Sequence, residues 1–329
     1  MLRLPAFEYV RARTVAEAVE AHVGCEGRAM YIAGGTDLVP NMKRRQFEPP
    51  VLIGIRRIEE LRATGTADNG DLLLGAGLTL RQLADMDRLP GCCDGLRQAA
   101  SQVANLQIQR VGTLGGNLCV DTRCNYYNQT YEWRRSVGFC MKKDGDICLV
   151  APGSKKCWAV SSSDTAPMLI ALGASVRLAG PDGSRDLPLA SLYRDDGIEY
   201  LTRSPGEILT RVRIPRNDDL RSTYLKVRRR GSFDFPLLGV AAAVSLRSGI
   251  VTGARLVLGA VHTHPVEVPE AGELLVDNRP TAALIEEVAE AAYRRSTPLD
   301  NTDLTLYWRK RVTRVTVRRA LQRVLGVGT

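Results

Sequence analysis

Apolar and polar positions along the chain divide it into segments of recognisable type. Residues 8–24, EYVRARTVAEAVEAHVG, place Thr14 as an N-cap, Glu17 three residues later as its capping-box partner and Gly24 at the stop, and so predict a short helix. The apolar triplet of MYIAGG and the β-branched VLIGI at 51–55 predict strands. Helix, strand, glycine turn and strand together predict a small α/β lobe over residues 1–57.

From residue 58 the stretch DLLLGAGLTLRQLAD alternates as a strand and then turns helical, and GLRQAASQVANLQIQRVGT predicts an Ala-rich helix leading to Gly115-Gly116-Asn117. DTAPMLIALGASVRLAGPDGSRDLPL predicts a helix, a strand and a PDG turn, and EILTRVRIP a strand closed by Pro215. This sheet-centred second α/β lobe covers 58–217. Over 218–329 strands with Gly turns flank one Ala-rich apolar stretch. Two helices follow, AALIEEVAEAAYRR and DLTLYWRKRVTRVTVRRALQRVL, the second expected to keep its arginines on a polar side. The pattern predicts an α+β chain of three lobes.

Composition narrows the function. No run of 18 apolar residues spans a bilayer, and the first residues lack the apolar core of a signal peptide, so a cytoplasmic, non-membrane protein is expected. Lys and Arg exceed Asp and Glu by 45 to 36, a net charge of +9 spread along the chain without a clustered stripe or a nucleic-acid reading module. That excess suits a solvated basic surface or the docking of an acidic redox partner. The eight cysteines, in a reducing compartment, point to metal ligands or reactive thiols rather than disulfides.

Two glycine turns, IAGGTDL at 32–38 and VGTLGGNL at 111–118, each follow an apolar element. Each is expected to expose consecutive backbone N–H groups able to hold a pyrophosphate. Neither matches the dinucleotide fingerprint or the P-loop, and an ordinary tight turn is the alternative for each.

The order AGGTDL, Ala-rich helix, GTLGGNL, SSDTAP and LKVRRRGSFDFP resembles the FAD-binding flavoprotein subunits of molybdenum hydroxylases, over essentially the whole chain. The resemblance implies their fold, two N-terminal α/β lobes and a C-terminal α+β lobe. It also implies that Ala33, Gly34, Gly35, Thr36, Asp37 and Leu38 wrap the FAD pyrophosphate, with Gly112, Thr113, Gly116 and Asn117 completing the grip. Asp164 would contact the sugar-phosphate side, Lys226 would reach toward the flavin edge, and Val103 and Leu209 would supply apolar walls.

Against that family the path from Asn117 to Asp164 is long, and residues 119–160 read as an insertion carrying Cys124, Cys140, Cys148 and Cys157 with no histidine near in sequence. Four thiolates can hold tetrahedral zinc or an iron-sulfur cluster. The absence of paired short-spaced knuckles favours a cluster, with zinc and unligated thiols as alternatives. Tyr126, Tyr127, Tyr131, Trp133, Phe139 and Trp158 would shield a cluster or form a miniature core. Most of the basic residues here, Arg134, Arg135, Lys142, Lys143, Lys155 and Lys156, are expected on a solvated face. Cys25, Cys92, Cys93 and Cys119 are read as packing residues.

The segment NLCVDTRCNYYNQTYEWRRSVGFC resembles one branch of the family, the 4-hydroxybenzoyl-CoA reductases, whose flavoprotein subunits carry an additional [4Fe-4S] cluster in an inserted loop. The resemblance implies Cys124, Cys140, Cys148 and Cys157 as its ligands and no catalytic acid or base on this chain. It further implies electron flow from a ferredoxin through [4Fe-4S] and FAD toward a molybdenum-cofactor subunit that reductively removes a phenolic hydroxyl. A small subunit with two [2Fe-2S] clusters and assembly as a dimer of heterotrimers are also implied. Other readings are a hydroxylase subunit exporting electrons and a zinc-stabilised docking subunit.

Overall fold

The computed structural model describes residues 2–87 and 89–327. In the first lobe, strand β1 (Glu8–Arg11), helix α1 (Val15–Gly24), strand β2 (Ala29–Ile32), helix α2 (Leu38–Lys43) and strand β3 (Val51–Gly54) build a parallel sheet of order β1-β3-β2. Thr14 caps α1 by accepting from the Glu17 amide, and Gly24 is its last residue. The helix predicted between the Thr14 cap and Gly24 is the observed one, and residues 8–11 before it, for which no strand was predicted, pair with Val51–Gly54. That strand depends on partners forty positions away, which no local pattern displays.

The second lobe holds β4 (Thr64–Thr66), β5 (Leu72–Gly75), α3 (Leu80–Ala84), α4 (Asp94–Ser101), α5 (Leu106–Gln109), α6 (Leu114–Leu118), α7 (Tyr131–Ser136), α8 (Thr165–Ala171), β6 (Ser175–Gly180), β7 (Gly183–Pro188) and β8 (Ile208–Ile214). Its antiparallel sheet runs β4-β5-β8-β6-β7. The Ala-rich helix predicted to lead into the second glycine turn is broken between α4 and α5, where Ala104 takes φ 43° and Asn105 recaps the chain by accepting from the Ile108 amide. An Asn side chain that bonds a nearby amide competes with helix continuation.

The third lobe has β9 (Leu220–Val227), β10 (Leu238–Arg247), β11 (Ile250–Gly259), β12 (Val266–Glu267), α9 (Glu270–Leu275), α10 (Ala282–Arg295) and α11 (Leu306–Leu325), with sheet order β12-β11-β10-β9. Strand β10 explains the Ala-rich apolar stretch. Leu238, Val240, Ala242 and Val244 pack on α10 and α11, whereas Ala241 and Ala243 face the helices of the second lobe. A strand buried on both faces reads as a continuous apolar run rather than an alternation. Each fully buried Leu or Val there contributes roughly 1.5–3 kcal/mol. Helices α4, α6 and α8 thus lie between two sheets, and the site described next forms along that layer.

The predicted polar arginine face of α11 has one exception. Arg309 is fully buried, donating to the Leu237 (3.2 Å), Leu299 (2.8 Å) and Ala260 carbonyls, and burial lowers its guanidinium to about 10. It fastens the end of α11 to the turns around β10 and β11, a role that helical periodicity does not reveal.

Candidate functional site

The two glycine turns meet. A Cβ at Gly34 would stand 2.2 Å from the Val111 carbonyl oxygen, so only glycine permits this approach. Gly35 takes φ +68°, turning the chain from β2 toward α2. Among the described residues, the amides of Gly34, Gly35, Thr36 and Asp37 donate to no backbone carbonyl, so the first turn is the row of free donors expected. The second turn differs from expectation: its amides are largely engaged. Gly112 donates to Ile108 (2.7 Å), Leu114 to Leu78 (2.8 Å), Gly115 to Ala76 (2.8 Å) and Gly116 to the Thr113 hydroxyl (3.1 Å). This turn starts α6, and the helix start together with the chain around Ala76–Leu78 consumes the donors. Its contribution is close backbone packing and a rigid wall beside the first turn.

Asn117 ties this turn to the SSSDT segment. Its side-chain oxygen accepts from the Ser163 hydroxyl (2.9 Å), the Thr165 hydroxyl (2.7 Å) and the Thr165 amide (3.1 Å). The neighbouring Asp164 begins α8 without capping it, and its carboxylate instead faces β9. Lys226 donates to Oδ2 at 2.9 Å and Tyr224 to Oδ1 at 2.9 Å. The Lys226 side chain is 0% exposed and that of Asp164 is 2%. Burial pushes the Asp164 carboxyl up and the Lys226 ammonium down, and each charge opposes the shift of the other. Lys226 and Arg228 also both donate to the Gln102 carbonyl at 2.9 Å, in the break between α4 and α5.

Val103 lies in that same break, half-buried against the core of the second lobe. Leu209 is 5% exposed, opposite Leu178 in the sheet of that lobe, and packs in its apolar core. Asp37 does not stand alone in the first turn: it accepts from Asn41 at 3.1 Å and pairs with Arg123, whose guanidinium also covers the Phe235 ring at 4.4 Å.

The insertion is a wedge touching all three lobes. Arg134, expected on a solvated face, is 0% exposed and donates to the Arg44 and Arg45 carbonyls (3.2 Å each) and to Asp144 (3.1 Å). Lys142, expected likewise, is also enclosed, bonded to Asp121 (2.7 Å), Thr122 and the Gly197 carbonyl (2.6 Å) between the Tyr127 and Tyr200 rings. The Asn125 amide donates to Asn301 of the third lobe at 2.8 Å, and the Asn301 side chain donates back to the Trp158 carbonyl at 2.6 Å. These buried donors reach backbone carbonyls that nothing local in the sequence names.

Inside the wedge Cys124, Cys140, Cys148 and Cys157 are all buried and free, and Cys124, Cys140 and Cys157 pack in one cluster with Tyr126, Tyr127, Met141, Leu149 and Val150. Burial raises the Cys124 thiol to about 11 and Cys157 to about 12, and the charges of the other thiols of the set add to both. Amides of Tyr126 and Tyr127 at Cys124, and of Ala159 at Cys157 (3.4 Å), favour the thiolate forms. Sulfurs on one tetrahedral zinc, at 2.3 Å from the metal, stand about 3.8 Å apart. Among the described residues no three of the four lie within 4.8 Å of one another. The thiols are therefore not arranged at the spacing of a tetrahedral zinc site.

Residues 5–217 match the FAD binding domain in molybdopterin dehydrogenase, and residues 222–324 the CO dehydrogenase flavoprotein C-terminal domain. The chain belongs to this flavoprotein family. It is 32% identical over 278 residues to the aldehyde oxidoreductase FAD-binding subunit PaoB of Escherichia coli, covering 82% of this chain and 85% of that one. With the carbon monoxide dehydrogenase medium chain of Afipia carboxidovorans it shares 26% identity, covering 97% of this chain and 96% of that one. In fold it superposes on a Cu,Mo-CO dehydrogenase chain with TM-score 0.81 at 24% identity (98% and 99% covered) and on quinoline 2-oxidoreductase from Pseudomonas putida 86 with TM-score 0.78 at 22% (98% of each). The α+β fold expected from the sequence is thus the observed one, and no helix among the described residues is long and apolar enough to cross a membrane.

In this family member several residues of the site escaped the sequence reading. Tyr224, Lys226 and Arg228 follow one another at strand spacing in TYLKVRR and converge on Asp164 and Gln102, so the period of two was a usable signal for Tyr224 and Arg228. Arg123 and Gln102 had no such signal, because their partners are brought up by tertiary structure alone.

Proposed function

We propose that this FAD-binding subunit carries FAD against the first glycine turn and a [4Fe-4S] cluster on Cys124, Cys140, Cys148 and Cys157, in an enzyme of the 4-hydroxybenzoyl-CoA reductase type. The observation that carries the reading is the wedge itself. Four buried thiols with no disulfide, not at the spacing of a zinc site, are joined to the flavin turn by the Arg123–Asp37 pair. When bound, flavin exchanges one or two electrons and the cluster one at a time, which would make the chain an electron relay.

The chain's own residues would hold these groups. The free amides of Gly34, Gly35, Thr36 and Asp37 suit a diphosphate, flanked by Ala33 and Leu38, while Gly112, Thr113, Gly116 and Asn117 form the wall behind them. Asp164 and Lys226 place a neutralised pair beside the site, and Val103 supplies apolar surface; Leu209 would line the flavin from the core side. The aromatic residues of the wedge exclude water from the thiolates, and Lys142, whose charge favours the Cys157 thiolate, offsets their negative charge. Partners of this reading are a molybdenum-cofactor subunit that performs the ring chemistry, a small subunit with two [2Fe-2S] clusters and a ferredoxin donor, in a cytoplasmic dimer of heterotrimers. The relatives' names, dehydrogenases and oxidoreductases, support a second reading in which electrons leave the complex through this subunit.

Flavin, iron, acid-labile sulfide and zinc per chain, measured after anaerobic purification of the native form and of Cys140→Ser, test the proposal. One FAD with about four irons and four sulfides, the irons lost in the variant, is expected. Zinc in place of iron, or no metal, would sink the cluster and with it the reductase assignment.

A further inference from the structure

Outside the thiol set, two of the three histidines of the chain converge with a carboxylate beside Lys156 and Trp158. His262 Nδ1 and His264 Nδ1 are 3.2 Å apart, and Asp195 Oδ1 is 3.3 Å from the first and 3.7 Å from the second. The Thr263 hydroxyl lies 3.1 Å and 3.3 Å from the two ring nitrogens and 2.6 Å from Asp195 Oδ1. A tetrahedral ion with ligands at 2.0–2.2 Å has ligand-to-ligand edges of about 3.3–3.6 Å. Three donors from two distant parts of the chain already stand at nearly that spacing, with a hydroxyl near the fourth corner.

We propose that His262, His264 and Asp195 bind a divalent ion of the zinc class, with the Thr263 hydroxyl or a water as fourth ligand. Two imidazoles and one carboxylate select a borderline transition ion over magnesium or calcium, which prefer all-oxygen shells. The surroundings fit a metal site. Lys156 bonds the outer oxygen Oδ2 of Asp195 at 2.6 Å, while Oδ1 accepts from the Thr263 hydroxyl and faces the two nitrogens, and the Trp158 ring stands edge-on to His262 at 5.3 Å. The ion would join Asp195 of the second lobe to the segment after β11 in the third. The His262 carbonyl in turn holds the Ser161 amide (3.0 Å) just beyond the wedge. The bound ion is a structural fastener for the base of the cysteine wedge, independent of what the thiolates hold.

The test uses the whole chain, dialysed anaerobically against Co²⁺. Cobalt held by nitrogen and oxygen shows ligand-field absorption without the near-ultraviolet thiolate charge-transfer band, which separates this site from any cobalt on the cysteines. One thiolate-free equivalent is expected in the native chain, with affinity lowered more than about tenfold in His264→Ala and in Asp195→Asn. Zinc should raise the melting temperature of the native chain and not of the variants. Asp195 is about half exposed, so its isosteric replacement keeps the test open if the histidine variant misfolds. Absence of thiolate-free cobalt in the native chain, or unchanged binding in Asp195→Asn, would overturn the site and leave the four groups as a hydrogen-bonded cluster.

Discussion

Replacing Lys226 with methionine keeps most of the side-chain volume and removes the charge opposite Asp164. In the native chain the carboxylate has two donors at 2.9 Å, Lys226 and Tyr224, and neither member of the ion pair reaches solvent. The variant leaves a buried carboxylate with one neutral donor, and breaking a buried pair from one side costs about 3–5 kcal/mol. The carboxyl has one escape, protonation, which at pH 7 costs about 4 kcal/mol for a group whose ordinary pKa is near 3.9. The two limits agree, so a loss of about 3–4 kcal/mol at pH 7 is expected. The sign of the pH dependence follows from the direction of the shift. Burial raises the Asp164 carboxyl, and without Lys226 it rises further. Stability tied to a raised carboxyl is present below the unfolded pKa and lost as pH rises through the folded one. The deficit should therefore shrink on acidification toward pH 5 by up to about 1.4 kcal/mol per pH unit. Urea unfolding of native, Lys226→Met, Asp164→Asn and the double variant between pH 5 and 8 measures both the loss and the coupling. A loss below about 1 kcal/mol, or one independent of pH, would refute a buried charged pair at this position.

Gly34→Ala places a Cβ within 2.2 Å of the Val111 oxygen and must push the two glycine turns apart; FAD retained after gel filtration should fall several-fold while the circular dichroism spectrum is unchanged, and full retention would separate the turns from the cofactor. Asp71 is held below its ordinary carboxylate range, first by the Arg216 amide (3.0 Å) and then by Asn69 and Arg213 against the cost of burial. Its contribution is present above that ordinary range and lost as pH falls through the folded value, so the melting temperature of Asp71→Asn should decline less steeply than that of the native chain below about pH 4.

The legibility of the site differed between its parts for a physical reason. The glycine turns, the SSSDT segment and the four cysteines are local patterns whose residue types suit the proposed chemistry, so each stood out along the chain. The free amides of the first turn were anticipated because a turn with Gly-Gly and positive φ leaves its donors unpaired. The second turn looked equivalent, yet its donors go to Ile108, Leu78 and Ala76, partners that folding delivers from elsewhere. Arg134, Lys142 and Arg309 read as solvated charges because long cationic side chains are usually exposed. Each is buried here because backbone carbonyls of another segment receive it.

By itself the sequence determined the α+β class, the capped helix ending at Gly24, the glycine turns and the set of four thiols, since these rest on periodicity, capping and residue chemistry within short windows. Tertiary structure alone decided that residues 8–11 join a sheet, that Asp164 faces Lys226 and Tyr224, and that His262, His264 and Asp195 meet. Those outcomes depend on which distant segments share an interface, where burial removes competing water and makes one particular partner decisive.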